Sequence, residues 1–480
     1  MSRRRFIGGA LAAAGVVAMP SALLAGCGGS TAGVPELVVD PATPWWLQHN
    51  FAPVADEVEA FDLPIRGALP PELSGVYARN GSNPQSGVST HWFMGDGMVH
   101  GLRLEDGAAL WYRNRYIDTE FYRAGIDYSN GGGAPLGGSH QANVSLIFHA
   151  GTLLASGEVG APYMIDPATM ETVGWTDFGG ELSASFTAHA KIDPATGYLH
   201  FFGYSFGPPY VRYYVADETG RVIHATDIPV SASTMMHSFA ITESDVVFWE
   251  GPVLFGAAGG GSFPFGWDES YGARIGIMPL GGRGDEIRWV EIPPCYVFHE
   301  LNAYREGGDV VIDVSRHSGA MNGERLGTVA PRLHRWRVAT EAGELTFRDE
   351  VLADDIGLEF PYGDKRILGR RHRDGWFVEL RDHPDTLELG GIVHFDMQTG
   401  ARSVWDPGLA RQAGEAIFVP GGAGEGEGWL LSIVYDRAAE VSDLVVLDAL
   451  NVASGPVAEV RLPQRVPFGF HGTWVDDADL

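Results

Sequence analysis

Helical periodicity is what this sequence most lacks. From about Trp45 to the C-terminus, no segment of useful length spaces its apolar residues at three and four positions, which excludes a helix bundle and gives no crossover helices for a parallel sheet. Cysteine is scarce as well. Two residues, Cys27 and Cys295, cannot make a disulfide framework; Cys27 ends the N-terminal segment, and Cys295, inside the apolar PPCYVFH, reads as a small buried residue. Cationic side chains are outnumbered, 33 Lys and Arg against 61 Asp and Glu, for a net charge of −28. So acidic a surface repels phosphate backbones, which excludes nucleic acid as a partner and leaves solubility as the role of the charge.

Glycine and proline are plentiful, 65 and 29, but they are spread between apolar runs and form no low-complexity block. They punctuate short strands such as HFFGYSF, DVVFWEGPVLF, DVVIDVSRH, GWFVELRD, GGIVHFDM, GWLLSIVYD and DLVVLDAL. Between strands an acidic turn ending in or near glycine recurs, in IDPATMETV, IDPATGYLH, ADETGRVIH, ATEAGELTF and DMQTGARSV. Strand, acidic turn and second strand make the hairpin signature. Hairpins repeated over so long a chain without helices favour radial repetition over a sandwich, so the predicted fold is an all-β propeller. Two glycine-rich stretches, Gly131 to Ser139 and Gly256 to Gly266, read as loops on one face, either plain surface loops or a lid.

The N-terminus carries its own signals. MSRRRFIGG has paired arginines before Phe6 and Ile7 and is followed by ALAAAGVVAMPSALLAGC, which is too short and too rich in Ala and Gly to span a membrane stably. It resembles a twin-arginine export signal, and Leu24-Ala25-Gly26-Cys27 resembles a lipoprotein box. The expected division is a signal peptide over 1–27, a flexible linker over 28–44 and a propeller over 45–480. The mature protein would then be periplasmic or tethered to a bacterial membrane's outer face, with lipid on Cys27.

Of the 16 histidines, four share one setting, an aromatic or apolar run entering a strand: His189 in FTAHAKID, His237 in MMHSFAIT, His299 in FHELNAY and His471 in GFHGTW. The separations of 48, 62 and 172 residues cannot put them on one helix or hairpin. A closed ring of blades can bring distant strands to one axis, and four imidazoles meeting there would bind a metal without naming it, since imidazole suits iron, copper, zinc and nickel alike. A single histidine beside an apolar strand is usually a core or turn residue. His91, His100, His149, His317, His334, His372, His383 and His394 are read that way.

The words around the four histidines resemble the iron-ligand segments of the carotenoid cleavage oxygenases, in the right order. YARNGSNPQ, HWFMGDGMVHG and WYRNRYI earlier, and LEFPYGDKRILGRRHR and GEAIFVPGG later, also resemble that family, so the likeness runs from about Phe51 to the C-terminus. The resemblance implies a seven-bladed β-propeller with a loop-built cap over one Fe(2+) held by His189, His237, His299 and His471. It implies that Glu158, Glu359 and Glu415 accept hydrogen bonds from the ligand rings, supplying negative charge and fixing the tautomer. The sequence departs from the family's pattern at Ala190, where proline is usual, at Ser238, where aspartate is usual, and at Gly157, where tryptophan or lysine usually precedes the glutamate. A lysine there contacts a phenol in the stilbene-cleaving branch, so Gly157 weighs against a hydroxystilbene, although Tyr112, Tyr116 or Tyr122 offers another approach to a phenol.

The implied activity is cleavage of a conjugated C=C bond of a carotenoid or apocarotenoid by O2, giving carbonyl products, with no side chain acting as acid or base. Trp92, Phe93, Phe298, Phe360, Phe468 and Phe470, in the motif loops, are candidates to line the substrate's path. The alternatives are a stilbene or phenylpropanoid dioxygenase and a non-catalytic ligand-binding propeller lipoprotein. The partners expected are an apolar conjugated small molecule, O2, and a membrane touched through the lipid anchor and apolar loops.

Overall fold

The structure is a computed structural model that describes residues 37–126, 128, 140–256, 263–319, 330–341, 343–383 and 385–480. The signal peptide with Cys27, the linker up to residue 36, the loop 131–139 and residues 257–262 lie outside the described residues.

Seven antiparallel sheets of four or five strands follow one another along the chain, and a separate two-stranded hairpin, Val253–Phe255 with Phe265–Trp267, projects from the fourth. The acidic turns explain the hairpins. Asp166, Asp193, Asp217 and Asp396 each turn a carboxylate oxygen back onto backbone N–H groups two or more residues on, at 2.8–3.1 Å. Gly197, Gly220 and Gly400 then take the left-handed conformation that closes the turn. Among the described residues the one α-helix is Glu120–Ala124.

Each sheet is a blade, and the apolar packing lies between blades. Trp249, Ile275 and Ile277 of the fourth pack on Val310, Val314 and Trp336 of the fifth, for example. The ring closes by interleaving its two ends. Gly472–Asp476 pairs with Gly75–Ser82 to complete the first blade, while Ile65–Gly67 adds an outer strand to the last through Ala458–Arg461.

One end of the ring is capped. The 3₁₀ turns Trp45–Leu47 and His49–Phe51 lay Trp45 on Phe51 (ring centroids 4.8 Å) and Phe51 on Trp92 (5.2 Å). Asp40 is hydrogen-bonded to Gln48 through its N–H (2.8 Å) and its carbonyl (2.9 Å), which ties residues 37–44 to these turns. From the hairpin, Phe263 stacks on His91 at 4.6 Å. Of the stretch from 256 to 266, the described residues 263–266 are thus partly cap and partly strand.

Candidate metal centre

The entrances of strands in successive blades carry the chemistry. His189 lies just before Lys191–Ile192, His237 before Ala240–Ile241, His471 before Gly472–Asp476, and His299 is within Tyr296–Glu306. Glu359 and Glu415 are on Gly357–Tyr362 and Arg411–Pro420, and Glu158 follows Thr152–Ser156. Pairing slips out of register around His299, after Glu359 and between Ala413 and Ala416. Such bulges re-aim side chains that regular pleating would point elsewhere.

The four imidazoles meet. One ligand atom from each lies within 4.8 Å of every other. His189 and His237 bring their Nε2 atoms to 2.9 Å, and the His189 ring centroid is 4.5–4.9 Å from those of the other three. Carboxylates hold three rings from behind. The Nδ1–H groups of His237, His299 and His471 donate to Glu158 (2.6 Å), Glu359 (2.6 Å) and Glu415 (2.8 Å). With Nδ1 carrying the proton, each Nε2 presents a lone pair to the centre. The Nε2 of His299 is buried without a hydrogen-bond partner, as expected of a donor set that fits a cation and of little else.

Burial keeps the rings of His299 and His189 neutral. It pushes His299 down to about 4 against the pull of Glu359. It also holds His189 well below the ordinary histidine value, helped by the neighbouring rings of His237, His471 and His299. Burial alone would raise Glu359, but the hydrogen bonds from His299 and His317 outweigh it and hold the carboxyl below its usual range.

The other oxygen of each carboxylate is also engaged, by donors the sequence reading left unassigned. Tyr204 O–H donates to Glu158 (2.9 Å), His317 Nε2 to Glu359 (3.3 Å), and Gly472 N–H to Glu415 (2.8 Å). His317 ends an apolar strand just as the ligands begin theirs, the one signal that could have singled it out; Tyr204 carried none.

Of the aromatic candidates, Phe360 faces His299 (5.6 Å) and His471 (5.7 Å), and Phe298 meets His237 edge-on at 5.3 Å. Phe93 touches Phe298 and Phe470, and Trp92 continues the series. Phe468 packs instead on Phe51 and Tyr435. The Tyr112 hydroxyl is used by His100 of its own blade (2.9 Å) and by Gln464 of the connection that closes the ring (3.2 Å), and Tyr116 and Tyr122 stack on each other.

A closed propeller with a ring of four imidazoles, three backed by carboxylates and overlaid by aromatics, defines a metal-binding β-propeller of the oxygenase kind. The chain belongs to the carotenoid cleavage oxygenase family: the family model described as retinal pigment epithelial membrane protein matches residues 51–476. It is 35% identical to a carotenoid cleavage oxygenase of Mycobacterium tuberculosis, over 89% of this chain and 97% of that one. It is 32% identical to isoeugenol monooxygenase of Pseudomonas nitroreducens, over 89% and 97%. The crystal structure of Pseudomonas brassicacearum lignostilbene dioxygenase superposes with a TM-score of 0.83 at 31% identity, covering 92% of this chain and all of that one.

Proposed function

We propose that this protein is an Fe(2+)-dependent dioxygenase that splits one conjugated C=C bond of a carotenoid or apocarotenoid, each carbon taking one oxygen atom of O2 to give two carbonyl products. The observation carrying the reading is the convergence of one ligand atom each from His189, His237, His299 and His471, with the Nε2 of His299 buried and without a hydrogen-bond partner. Iron bound there would supply the activation of O2. The protein's own contribution is positional: Glu158, Glu359 and Glu415 hold the rings in one tautomer, while Phe298, Phe360, Phe93 and Phe470 offer an apolar surface to the polyene and keep water away.

The second reading, a stilbene or phenylpropanoid substrate, is favoured by the lignostilbene dioxygenase and isoeugenol monooxygenase likenesses. Against it stands position 157. A Cβ on Gly157 would come within 3.1 Å of the Ala142 backbone nitrogen, so a phenol-binding lysine there needs a shifted backbone. Assays with a carotenoid, an apocarotenal and resveratrol under ¹⁸O2, read by mass spectrometry, separate the two. Label in both fragments of the polyene alone supports the proposal; cleavage of resveratrol alone refutes it in favour of the second. His299→Ala should lose its metal yet remain folded, because the packing lies between blades and not on the axis; a normal metal content would exclude His299 as a ligand.

We also propose export by the paired arginines, lipidation of Cys27 and a linker over 28–44, its last part from residue 37 tied to the cap turns, leading into the 45–480 propeller. Support comes from the basic, apolar and small-residue order of the first 27 positions. Intact-mass analysis of the mature N-terminus from membranes tests it.

A further inference from the structure

Among the 33 basic side chains only two are lysines, Lys191 and Lys365. The rest are arginine, and the two exceptions come together on the propeller axis. Lys191 stands two residues beyond His189, and its ammonium is ion-paired with Oε1 of Glu300, the residue after His299. The other oxygen of that carboxylate accepts a 2.7 Å hydrogen bond from the hydroxyl of Ser238, the residue after His237. One carboxylate therefore joins the three inner strands that present His189, His237 and His299. Lys365, on the following blade, holds its Nζ 4.4 Å over the Tyr362 ring, within electrostatic reach of Lys191, Glu300 and Glu415.

The ion pair is deeply buried, with side-chain exposures of 10% for Lys191 and 3% for Glu300, and Ser238 is fully buried. Stability does not account for such a pair, because apolar residues of similar volume generally serve a protein interior as well or better. Nor is it a surface charge that arginine would serve. An ammonium is a compact point charge, whereas a guanidinium needs a planar fork of partners and more room. The fourth histidine is braced separately, by its own N–H to the Val144 carbonyl (3.1 Å) and by Glu415.

We propose that Lys191, Ser238 and Glu300 are positioning residues for the metal centre, a buried clamp that sets the spread of His189, His237 and His299 and closes the axis behind them. This rests on the reading that the four histidines hold a metal. None of the three touches the centre itself; each acts through the histidine one or two positions earlier on its strand.

The test uses Co2+ as the probe, added to the metal-free full chain. Its ligand-field absorption reports coordination geometry, and its release to EDTA reports how firmly the site is held. Lys191→Met combined with Glu300→Leu replaces the pair by apolar volume and should fold. We expect Co2+ release at least tenfold faster than in the parent and a shifted absorption band, with Ser238→Ala giving a smaller change in the same direction and Lys191→Arg failing to restore the parent spectrum. A folded double variant with the parent's release rate and spectrum would overturn the clamp. Should the double variant not fold, Ser238→Ala, which removes a single hydrogen bond, decides alone: parent-like release and spectrum overturn the proposal. A parent that takes up no Co2+ would instead sink the metal reading, and the clamp with it.

Discussion

Glu359 receives three hydrogen bonds: from His299 Nδ1, from His317 Nε2 and from the N–H of Phe360. A buried carboxylate so fully satisfied is a fixed anion, and it determines which nitrogen of His299 carries the proton. Glu359→Gln keeps the shape but removes the charge and offers an amide donor to a ring that needs an acceptor. Metal affinity should fall about 10- to 100-fold, measured by chelator competition, with the fold retained. At this scale the four ligands were legible because each enters a strand from an aromatic or apolar run. His317 has much the same surroundings at the far end of its strand, where a lone histidine is ordinarily structural. Its function depends on Glu359, 42 residues away, and only folding brings that partner to it.

Individual strands and hairpins were legible for a different reason. The Asx turn is a local event, complete within five residues, and Asp193 with Gly197 needs nothing from the rest of the chain. Blade count was not legible from local pattern. The first and last blades borrow strands from opposite ends of the chain, and the fourth carries an extra hairpin, so no fixed period survives. That hairpin leaves an exposed apolar feature. Phe255 is 45% exposed, Phe206 on the neighbouring loop 41%, and their rings lie 4.4 Å apart. Paired exposed phenylalanines suit insertion at a bilayer's interface. In a Cys27→Ser background, where no lipid contributes, Phe206→Ser with Phe255→Ser should reduce co-sedimentation with phospholipid vesicles several-fold. Unchanged binding would assign membrane contact elsewhere.

Over the whole molecule, the many histidines buried as neutral rings make stability depend on pH. Burial pushes His91 down to about 3 and His200 to about 4, as it does His299. Below the ordinary value of 6.5 the unfolded chain takes up protons that the folded one refuses. Stability is therefore highest above about 6.5 and falls as the pH drops toward 4, by about 1.4 kcal/mol per pH unit for each such ring. Calorimetry of the metal-free protein should record a steep loss of Tm between pH 6.5 and 4.5; a flat profile would mean these rings titrate normally.

Closure of the ring also fixes an order of events. His471 immediately precedes Gly472–Asp476, a strand that can dock against Gly75–Ser82 only after the blades between them have been made. A ribosome-bound chain with every other blade finished still lacks its fourth imidazole. A polypeptide released before His471 offers at most three of the four imidazoles, on an open arc.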